Sequence, residues 1–186
     1  MSKKKLMMVL LGCKPKGRHI EQHDIFFTIG SSLKDIVPEI KKFWPDGGTI
    51  HIDSWREVTI CDGYSIYVIP KSLAEKNTTV KLFFINLGGY KPEDLEEYHY
   101  KMLIPATNKT EAIKKAKSSA FYLHTGFKGA ASHIDDKYGV DVDDFYEITD
   151  ILPEAIKNKY SLDIQPNHKK KDDKWHIGYT NLSKIK

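Results

Sequence analysis

Apolar runs in the first third of the chain predict two strands, a helix and a third strand, in that order. Residues 6–11 are continuously apolar, which is typical of a strand buried on both faces, and residues 20–29 resume the pattern after a turn. Ser31 or Ser32 is a good cap for a helix whose apolar residues follow at helical spacing. We expect Pro38 to bend this helix or confine it to its second half, because proline removes a hydrogen-bond donor and crowds the preceding turn.

The third strand, residues 49–55, separates polar from apolar side chains. Because side chains alternate along a strand, His51, Asp53 and Trp55 are predicted to share one face. Asp62-Gly63 lies between two further apolar segments and is the strongest short hairpin signal in the chain.

The order of elements then repeats. The apolar run that begins at Leu6 returns from Leu82, and Glu21 and His23 return as Glu97 and His99 at the same offset. The triplet His51-Ile52-Asp53 returns as His133-Ile134-Asp135 at a slightly longer offset. Asp62, Tyr64 and Ile66 match Asp144, Tyr146 and Ile148 at that second offset. The additional residues fall around 126–131, as expected of an insertion in a loop, so we interpret the chain as an internal duplication.

The predicted fold is α+β, with mostly antiparallel sheet because the connections are short. It consists of two tandem copies of a strand-strand-helix-strand unit with hairpin additions, related by a pseudo-two-fold axis. The first copy is assigned to residues 1–76 and the second to residues 77–153. Residues 154–186 have no counterpart and are expected to pack on the repeats as a C-terminal extension that covers a sheet edge.

The residues shared by the two copies resemble a known family. Leu-Gly-x-Lys-Pro leads to Glu-x-His, a helix and His-Ile-Asp, and the second copy has Leu-Gly-Gly-Tyr-Lys-Pro from residue 87 and Ser-His-Ile-Asp-Asp-Lys-Tyr-Gly from residue 132. This pattern, over about residues 6–153, resembles the bacterial domain of unknown function 1543, here as a tandem pair. The resemblance implies a bacterial cytoplasmic protein and carries no known activity.

Composition narrows the class of protein without naming a function. Apolar residues make up 40% of the chain and aromatic residues 11%, as in a globular protein. The longest apolar runs are of strand length, so no membrane span is predicted, and a net charge of +4 without a recognition motif makes nucleic acid an unlikely partner. Cys13 and Cys61 lack counterparts in the other copy, and we expect both to be unpaired thiols, Cys13 at the surface, in a reducing compartment such as the cytoplasm.

Polar residues on the strands of both copies are the candidate functional residues. In each copy a Glu and a His lie two positions apart on one strand, and a His and an Asp lie two positions apart on another. The two side chains of each pair project from the same face, so neighbouring strands can bring all four residues of one copy together. Imidazole nitrogens and carboxylate oxygens would suit a divalent metal such as zinc, manganese or iron. The candidates are Glu21, His23, His51 and Asp53 in the first copy, and Glu97, His99, His133 and Asp135 in the second.

Three interpretations of these residues stay open at this point. They form structural hydrogen bonds, they bind a small molecule or a protein, or they carry out metal-dependent or acid–base catalysis. Trp55 could stack on a ligand beside His51, although an aromatic residue on a strand more often packs in the core. We therefore expect a non-catalytic binding or regulatory module, with a small metal-dependent enzyme as the alternative. No cofactor is assigned, and the ligand, partner and oligomeric state stay unknown.

Overall fold

The structure is a computed structural model that describes residues 3–74, 79–90, 95–125, 141–167 and 173–185. At positions 89, 90, 120–125 and 141 only the backbone is described. The predicted site residues His133 and Asp135, and the insertion expected near 126–131, lie outside the described residues. The chain divides into two compact units: Met1–Lys76 together with Ile151–Lys186, and Asn77–Asp150.

The described residues form strands and helices in an α+β arrangement. In chain order these are β1 (Lys5–Cys13), β2 (Gln22–Gly30), α1 (Leu33–Phe43), β3 (His51–Val58), β4 (Ile60–Cys61), β5 (Tyr64–Pro70), β6 (Lys81–Tyr90), β7 (Glu97–Ala106), α2 (Lys109–Thr125), β8 (Asp141–Glu147), α3 (Ile148–Ile151), α4 (Glu154–Lys157), β9 (Tyr160–Pro166) and β10 (His176–Asn181). Short 3-10 helices lie at Lys71–Leu73 and Leu182–Lys184. Among the described residues, no helix is long and apolar enough to cross a membrane.

In the first unit, the main sheet has the strand order β10-β3-β1-β2, and every pairing in it is antiparallel. Helix α1 covers one face, where Ile36 and Ile40 are fully buried against the apolar side of β1 and β3. Strand β10, from the C-terminal segment, lies along the outer side of β3. Strand β1 thus lies between β2 on one side and β3 on the other.

Helix α1 begins immediately after Ser32, whose hydroxyl accepts a hydrogen bond from the backbone N–H of Asp35. Of the two effects expected of Pro38, confinement of the helix to its second half is wrong, because the helix runs through Pro38 from Leu33, and a bend stays a prediction. Proline removes one backbone hydrogen bond from the helix, and the burial of Ile36 and Ile40 on the sheet offsets that loss.

The predicted hairpin at Asp62-Gly63 is confirmed. Both residues have positive φ, 42° and 78°, as a type I′ turn requires, and the turn joins β4 to β5. Strand β5 also pairs with β9, which completes a second, three-stranded sheet. The carboxylate of Asp173 accepts hydrogen bonds from the backbone N–H groups of Thr59 and Ile60 at the approach to this sheet.

The second unit has a three-stranded antiparallel sheet in the order β7-β6-β8, with α2 packed on β6 and β7. Its apolar core comprises Phe83, Ile85, Leu87, Ile104, Ala106, Ala112 and Ala116. Asn108 caps α2 by accepting a hydrogen bond from the N–H of Glu111. The carboxylate of Glu111 in turn accepts from the N–H and the hydroxyl of Thr107.

The two units have the same internal order of strand, strand, helix and strand. The helix caps correspond, because Asn108 acts on α2 as Ser32 acts on α1. The strand register breaks after Leu10 in one unit and after Asn86 in the other. In both cases the two equivalent residues are as far apart in the sequence as Glu21 and Glu97. This is the spacing predicted for the first part of the repeat.

The third strand departs from the predicted correspondence. Gly12 pairs with His51, and Gly88 pairs with Asp141, so the structure aligns His51 with Asp141 and not with His133. The matches of Asp62, Tyr64 and Ile66 with Asp144, Tyr146 and Ile148 are therefore wrong. The first three belong to the hairpin and β5, whereas Asp144 and Tyr146 belong to β8, the counterpart of β3, and Ile148 begins α3.

Candidate metal centre

Gly12 lies at the centre of the candidate site, near the end of β1. It pairs with His23 of β2 on one side and with His51 of β3 on the other, which puts the two histidines in one row across the sheet. Directly opposed residues of an antiparallel sheet project from the same face. Glu21, two residues before His23, follows the same alternation and reaches the same face.

Asp53 reaches this face through a β-bulge. Leu10 pairs with Ser54 and Leu11 pairs with Ile52, so Asp53 is the extra residue on β3. Bulges are frequent beside functional sites because they change the direction of a side chain. The bulge also shifts the alternation beyond it, so Trp55 faces the core with Val9 and not the site. The prediction that Trp55 shares a face with His51 is thus wrong.

The four predicted residues of the first copy come together in a closed ring of contacts. His51 Nε2 lies 3.2 Å from Glu21 Oε1 and 3.2 Å from Asp53 Oδ1. His23 Nε2 lies 3.3 Å from Asp53 Oδ2 and 3.6 Å from Glu21 Oε2. Each carboxylate therefore offers one oxygen to each histidine, and both imidazoles approach through the same ring nitrogen.

These separations fit ligands around a cation better than they fit direct hydrogen bonds. A charge-assisted N–H···O bond is about 2.7–2.9 Å long, which is shorter than every contact in the ring. Tetrahedral bonds of about 2.0–2.2 Å from zinc to nitrogen and oxygen put neighbouring ligand atoms about 3.3–3.6 Å apart. The four contacts lie at 3.2–3.6 Å. Each contact between an imidazole and a carboxylate therefore has the length expected of neighbouring ligand atoms. The contacts use both oxygens of each carboxylate, and among the described residues only Glu97, His99 and Asp143 each offer one ligand atom with all three within 4.8 Å of one another, so the ring would have to tighten around an ion.

Asp53 gives independent support for a missing partner. Within the described part of the chain, its Oδ2 atom is buried and accepts no hydrogen bond. His23 Nε2 is 3.3 Å away, which is within ion-pair distance, but the approach does not have hydrogen-bond geometry. A hydrogen bond weakens steeply when it is misaligned, so this contact does not satisfy the oxygen atom. A buried carboxylate oxygen in this position is suited to a cation.

The site needs glycine at position 12. A Cβ atom there would lie 2.8 Å from Asp53 Oδ2 and closer still to His51 Nε2, because both side chains fold over the backbone of β1. Any side chain at this position would occupy the space that the imidazole and the carboxylate now use. The glycine of the Leu-Gly sequence is thus part of the site, although it is not among the predicted site residues.

The site has a buried side and an exposed side. His51 is only 5% exposed, and the ring of Tyr179 from β10 packs on its imidazole with 4.4 Å between ring centroids. The side chains of Glu21 and His23 are 45% and 46% exposed. An ion held by these residues would therefore be reachable from solvent on the side of β2.

In the second unit the structure brings together Glu97, His99 and Asp143. One ligand atom from each lies within 4.8 Å of the others, and His99 Nε2 is 3.2 Å from Asp143 Oδ2. Asp143 is the extra residue of the second bulge and so occupies the position of Asp53, a position that the sequence analysis assigned to Asp135. That assignment favoured the identical His-Ile-Asp triplet, whereas the register points to the less similar Asp141-Val142-Asp143.

The prediction that Cys13 is a surface thiol is also wrong. Cys13 is fully buried and continues the alternation of Met7, Val9 and Leu11 toward the core. Burial, together with the negative charges of Asp46 and Glu21, raises the pKa of its thiol. Neither Cys13 nor Cys61 is in a disulfide, and both are buried.

Comparisons with known proteins support the resemblance in one segment. Residues 18–68 match the family described as Domain of Unknown Function (DUF1543), and this segment contains all four residues of the ring. No curated protein matches the chain. The crystal structure of a protein Il1583 from Idiomarina loihiensis is similar, with a TM-score of 0.62 and 23% identity over 96% of this chain and 97% of that one. At this identity the likeness shows the fold alone.

Proposed function

We propose that the first unit binds a divalent transition-metal ion, best matched by Zn²⁺, through Glu21, His23, His51 and Asp53. The observation that carries the proposal is the closed ring of contacts at 3.2–3.6 Å between two imidazole nitrogens and two carboxylates. Two nitrogen donors favour zinc and its first-row neighbours over Mg²⁺ or Ca²⁺, which prefer oxygen ligands alone.

The purely structural alternative accounts less well for the ring. Direct pairing would require each Nε2–H group to serve two carboxylates, with all four contacts longer than a normal charge-assisted bond. It would also leave the buried Asp53 Oδ2 without a donor. A central cation satisfies all four side chains at once and offsets the two negative charges.

A non-catalytic binding or regulatory module is the role that this ligand set favours. Four protein ligands fill a tetrahedral zinc site, whereas catalytic zinc sites keep one position open for water or substrate. One observation favours the alternative of a small metal-dependent enzyme: Glu21 lies before the first residue of β2 and its side chain is 45% exposed, so water could replace it as a ligand.

We also infer that the two units descend from one duplicated unit. The equivalent helix caps and the equivalent bulges support this inference. A reducing compartment such as the bacterial cytoplasm fits the proposal, because the two thiols are buried and unbridged. The chemical test of the duplication is whether the second unit binds metal at the equivalent positions.

Zinc titration of untagged, metal-stripped protein against a chromophoric chelator tests the proposed site. We expect the first unit to bind one Zn²⁺ tightly, and His51→Ala and Asp53→Asn to lose that ion. His176→Ala is the matched control, because this histidine stacks on Trp55 with 4.0 Å between ring centroids and contributes nothing to the ring. If wild type and His51→Ala bind zinc equally well, the proposal is wrong.

Hydrolysis assays distinguish a binding module from an enzyme. Zinc-loaded wild type and a further variant, Glu21→Gln, would be assayed against ester and phosphoester model substrates. A module is expected to be inactive in both forms. Hydrolysis that depends on zinc and disappears in His51→Ala would instead establish the enzyme.

A further inference from the structure

We infer that the second unit holds a second metal site, formed by Glu97, His99 and Asp143, whose preference differs from that of the first. His99 Nε2 lies 3.2 Å from Asp143 Oδ2 and 3.9 Å from Glu97 Oε2. Ligand atoms of all three residues lie within 4.8 Å of one another. The site shares no residue with the ring of the first unit.

The backbone of the second unit is shaped for this cluster. His99 pairs with Gly88 across β7 and β6, and Asp143 reaches the same face as the extra residue of its bulge. A Cβ atom at position 88 would lie 2.5 Å from Glu97 Oε1 and 2.8 Å from Asp143 Oδ1. A glycine that makes room for both carboxylates, and a bulge that aims one of them, mark a built site and not a chance grouping of surface charges.

The ligand set of this site is richer in oxygen than that of the first. One imidazole and two carboxylates contribute, and the backbone position that corresponds to His51 carries Asp141. Six-coordinate bonds of about 2.1–2.2 Å put adjacent ligand atoms about 3.0–3.1 Å apart and opposite ones about 4.2–4.4 Å apart. The two separations from His99 Nε2, 3.2 Å to Asp143 Oδ2 and 3.9 Å to Glu97 Oε2, lie between the adjacent and the opposite distances, so they do not fix the coordination number. The preference is argued from the donor atoms, because a carboxylate-rich set completed by water suits an ion such as Mn²⁺.

Three protein ligands leave coordination positions of an octahedral ion to water. The side chains of His99, Glu97 and Asp143 are 39%, 30% and 28% exposed, so solvent reaches the cluster. A metal here would keep exchangeable positions for an oxygen-bearing ligand, in contrast to the four-ligand ring of the first unit. The two sites would thus differ in both metal preference and openness.

Electron paramagnetic resonance of Mn²⁺, which reports the free aqueous ion, tests the second site directly. Metal-stripped protein would receive one equivalent of Zn²⁺ to fill the first site and would then be titrated with Mn²⁺, and a parallel titration would omit the Zn²⁺. We expect one Mn²⁺ to bind per chain. His99→Ala and Asp143→Asn should each weaken this binding by about tenfold or more, since each removes one of three protein ligands.

Matched variants separate this inference from the proposal for the first unit. Asp144→Asn removes a neighbouring carboxylate of β8 that accepts a hydrogen bond from Asn86, and it should leave Mn²⁺ binding unchanged. His51→Ala, titrated without added Zn²⁺, should keep Mn²⁺ binding, and in the chelator assay it should lose tight zinc binding. Circular dichroism checks that each variant is folded. If Asp143→Asn unfolds, the test uses His99→Ala, because His99 is the more exposed of the two residues.

The inference would be overturned in three ways. The first is that wild type binds no Mn²⁺, with or without added Zn²⁺. The second is that Mn²⁺ binding survives both His99→Ala and Asp143→Asn in folded protein. The third is that Mn²⁺ binding disappears in His51→Ala and stays in the second-unit variants, which would place the ion in the first unit.

Discussion

Replacing Gly12 with alanine perturbs the proposed zinc site without removing any ligand. Ordinary van der Waals contact begins at 3.4 Å, and the new Cβ would lie 2.8 Å from Asp53 Oδ2, so that oxygen must move by 3.4 − 2.8 = 0.6 Å. His51 Nε2 is closer to the new atom and must move further. Binding sites tolerate displacements of about 0.5 Å, so two of the four ligands would be carried out of range.

We expect Gly12→Ala to lower zinc affinity about a hundredfold, which corresponds to about 2.8 kcal/mol. The metal-free fold should lose about 1–3 kcal/mol, as is typical of overpacking. Competition with a chromophoric chelator measures the affinity, and urea unfolding of the metal-free protein measures the stability.

Gly17→Ala is the matched control for this experiment. Gly17 has a φ of +83°, and no atom lies within 4 Å of a Cβ added there, so alanine strains the turn without touching the site. The left-handed conformation costs a residue with a side chain about 1–2 kcal/mol. Zinc affinity should be unchanged in this variant. If Gly12→Ala binds zinc as tightly as wild type, or Gly17→Ala weakens binding equally, the reasoning from the site geometry is refuted.

Proton competition, aromatic packing and a carboxylate beside a helix cap give three further predictions. Zinc affinity should fall as the pH is lowered, because imidazole must be deprotonated to bind metal, and titrations at several pH values would show it. Tyr179→Ala should weaken zinc binding by about tenfold, since its ring packs on the His51 imidazole and holds it in place; the chelator assay measures this against Tyr179→Phe, which should bind normally. Hydrogen bonds from Thr107 and Lys115 lower the pKa of Glu111 from 4.5 to about 2. The stabilisation is therefore fully present above about pH 4.5 and is lost as the pH falls toward 2. Glu111→Gln should be less stable than wild type near neutral pH, and a stability difference that does not narrow on acidification would contradict this assignment.

Much of the fold was accessible from hydrophobic spacing and turn chemistry. Continuous apolar runs predicted β1 and β6, Ser32 predicted the start of α1, and Asp62-Gly63 predicted the hairpin. Each of these signals depends only on residues that are close together in the sequence, so a single sequence is enough to recognise it. Pro38 was misjudged because its effect depends on the apolar contacts that hold α1 on the sheet, and those contacts are set by tertiary packing.

The candidate site was predictable in the first unit and only partly in the second. Alternation along β2 and β3 brings His23 and His51 to one face, and the spacing of each from its acidic partner is visible in the sequence. The bulge that aims Asp53 is a property of strand pairing, and nothing in the sequence marks it. Without the bulge, simple alternation puts Trp55 on the wrong face.

The second unit shows how identity between short segments can mislead. The repeated His-Ile-Asp triplet outweighed the weaker likeness of Asp141-Val142-Asp143 to His51-Ile52-Asp53, although a polar-apolar-Asp pattern is common to both. The register of β8 on β6 depends on contacts between strands that are distant in sequence. The shared Gly12 and Gly88 were the available signal, because a glycine retained inside a strand often marks a close approach by other atoms.

Anomalous diffraction at the zinc absorption edge, from crystals of the zinc-loaded protein, tests the central claim most directly. The account predicts a single strong peak in the first unit, about 2.0–2.2 Å from the Nε2 atoms of His23 and His51 and from carboxylate oxygens of Glu21 and Asp53. A structure with zinc bound elsewhere, and with these four side chains still 3.2–3.6 Å apart around no ion, would contradict it.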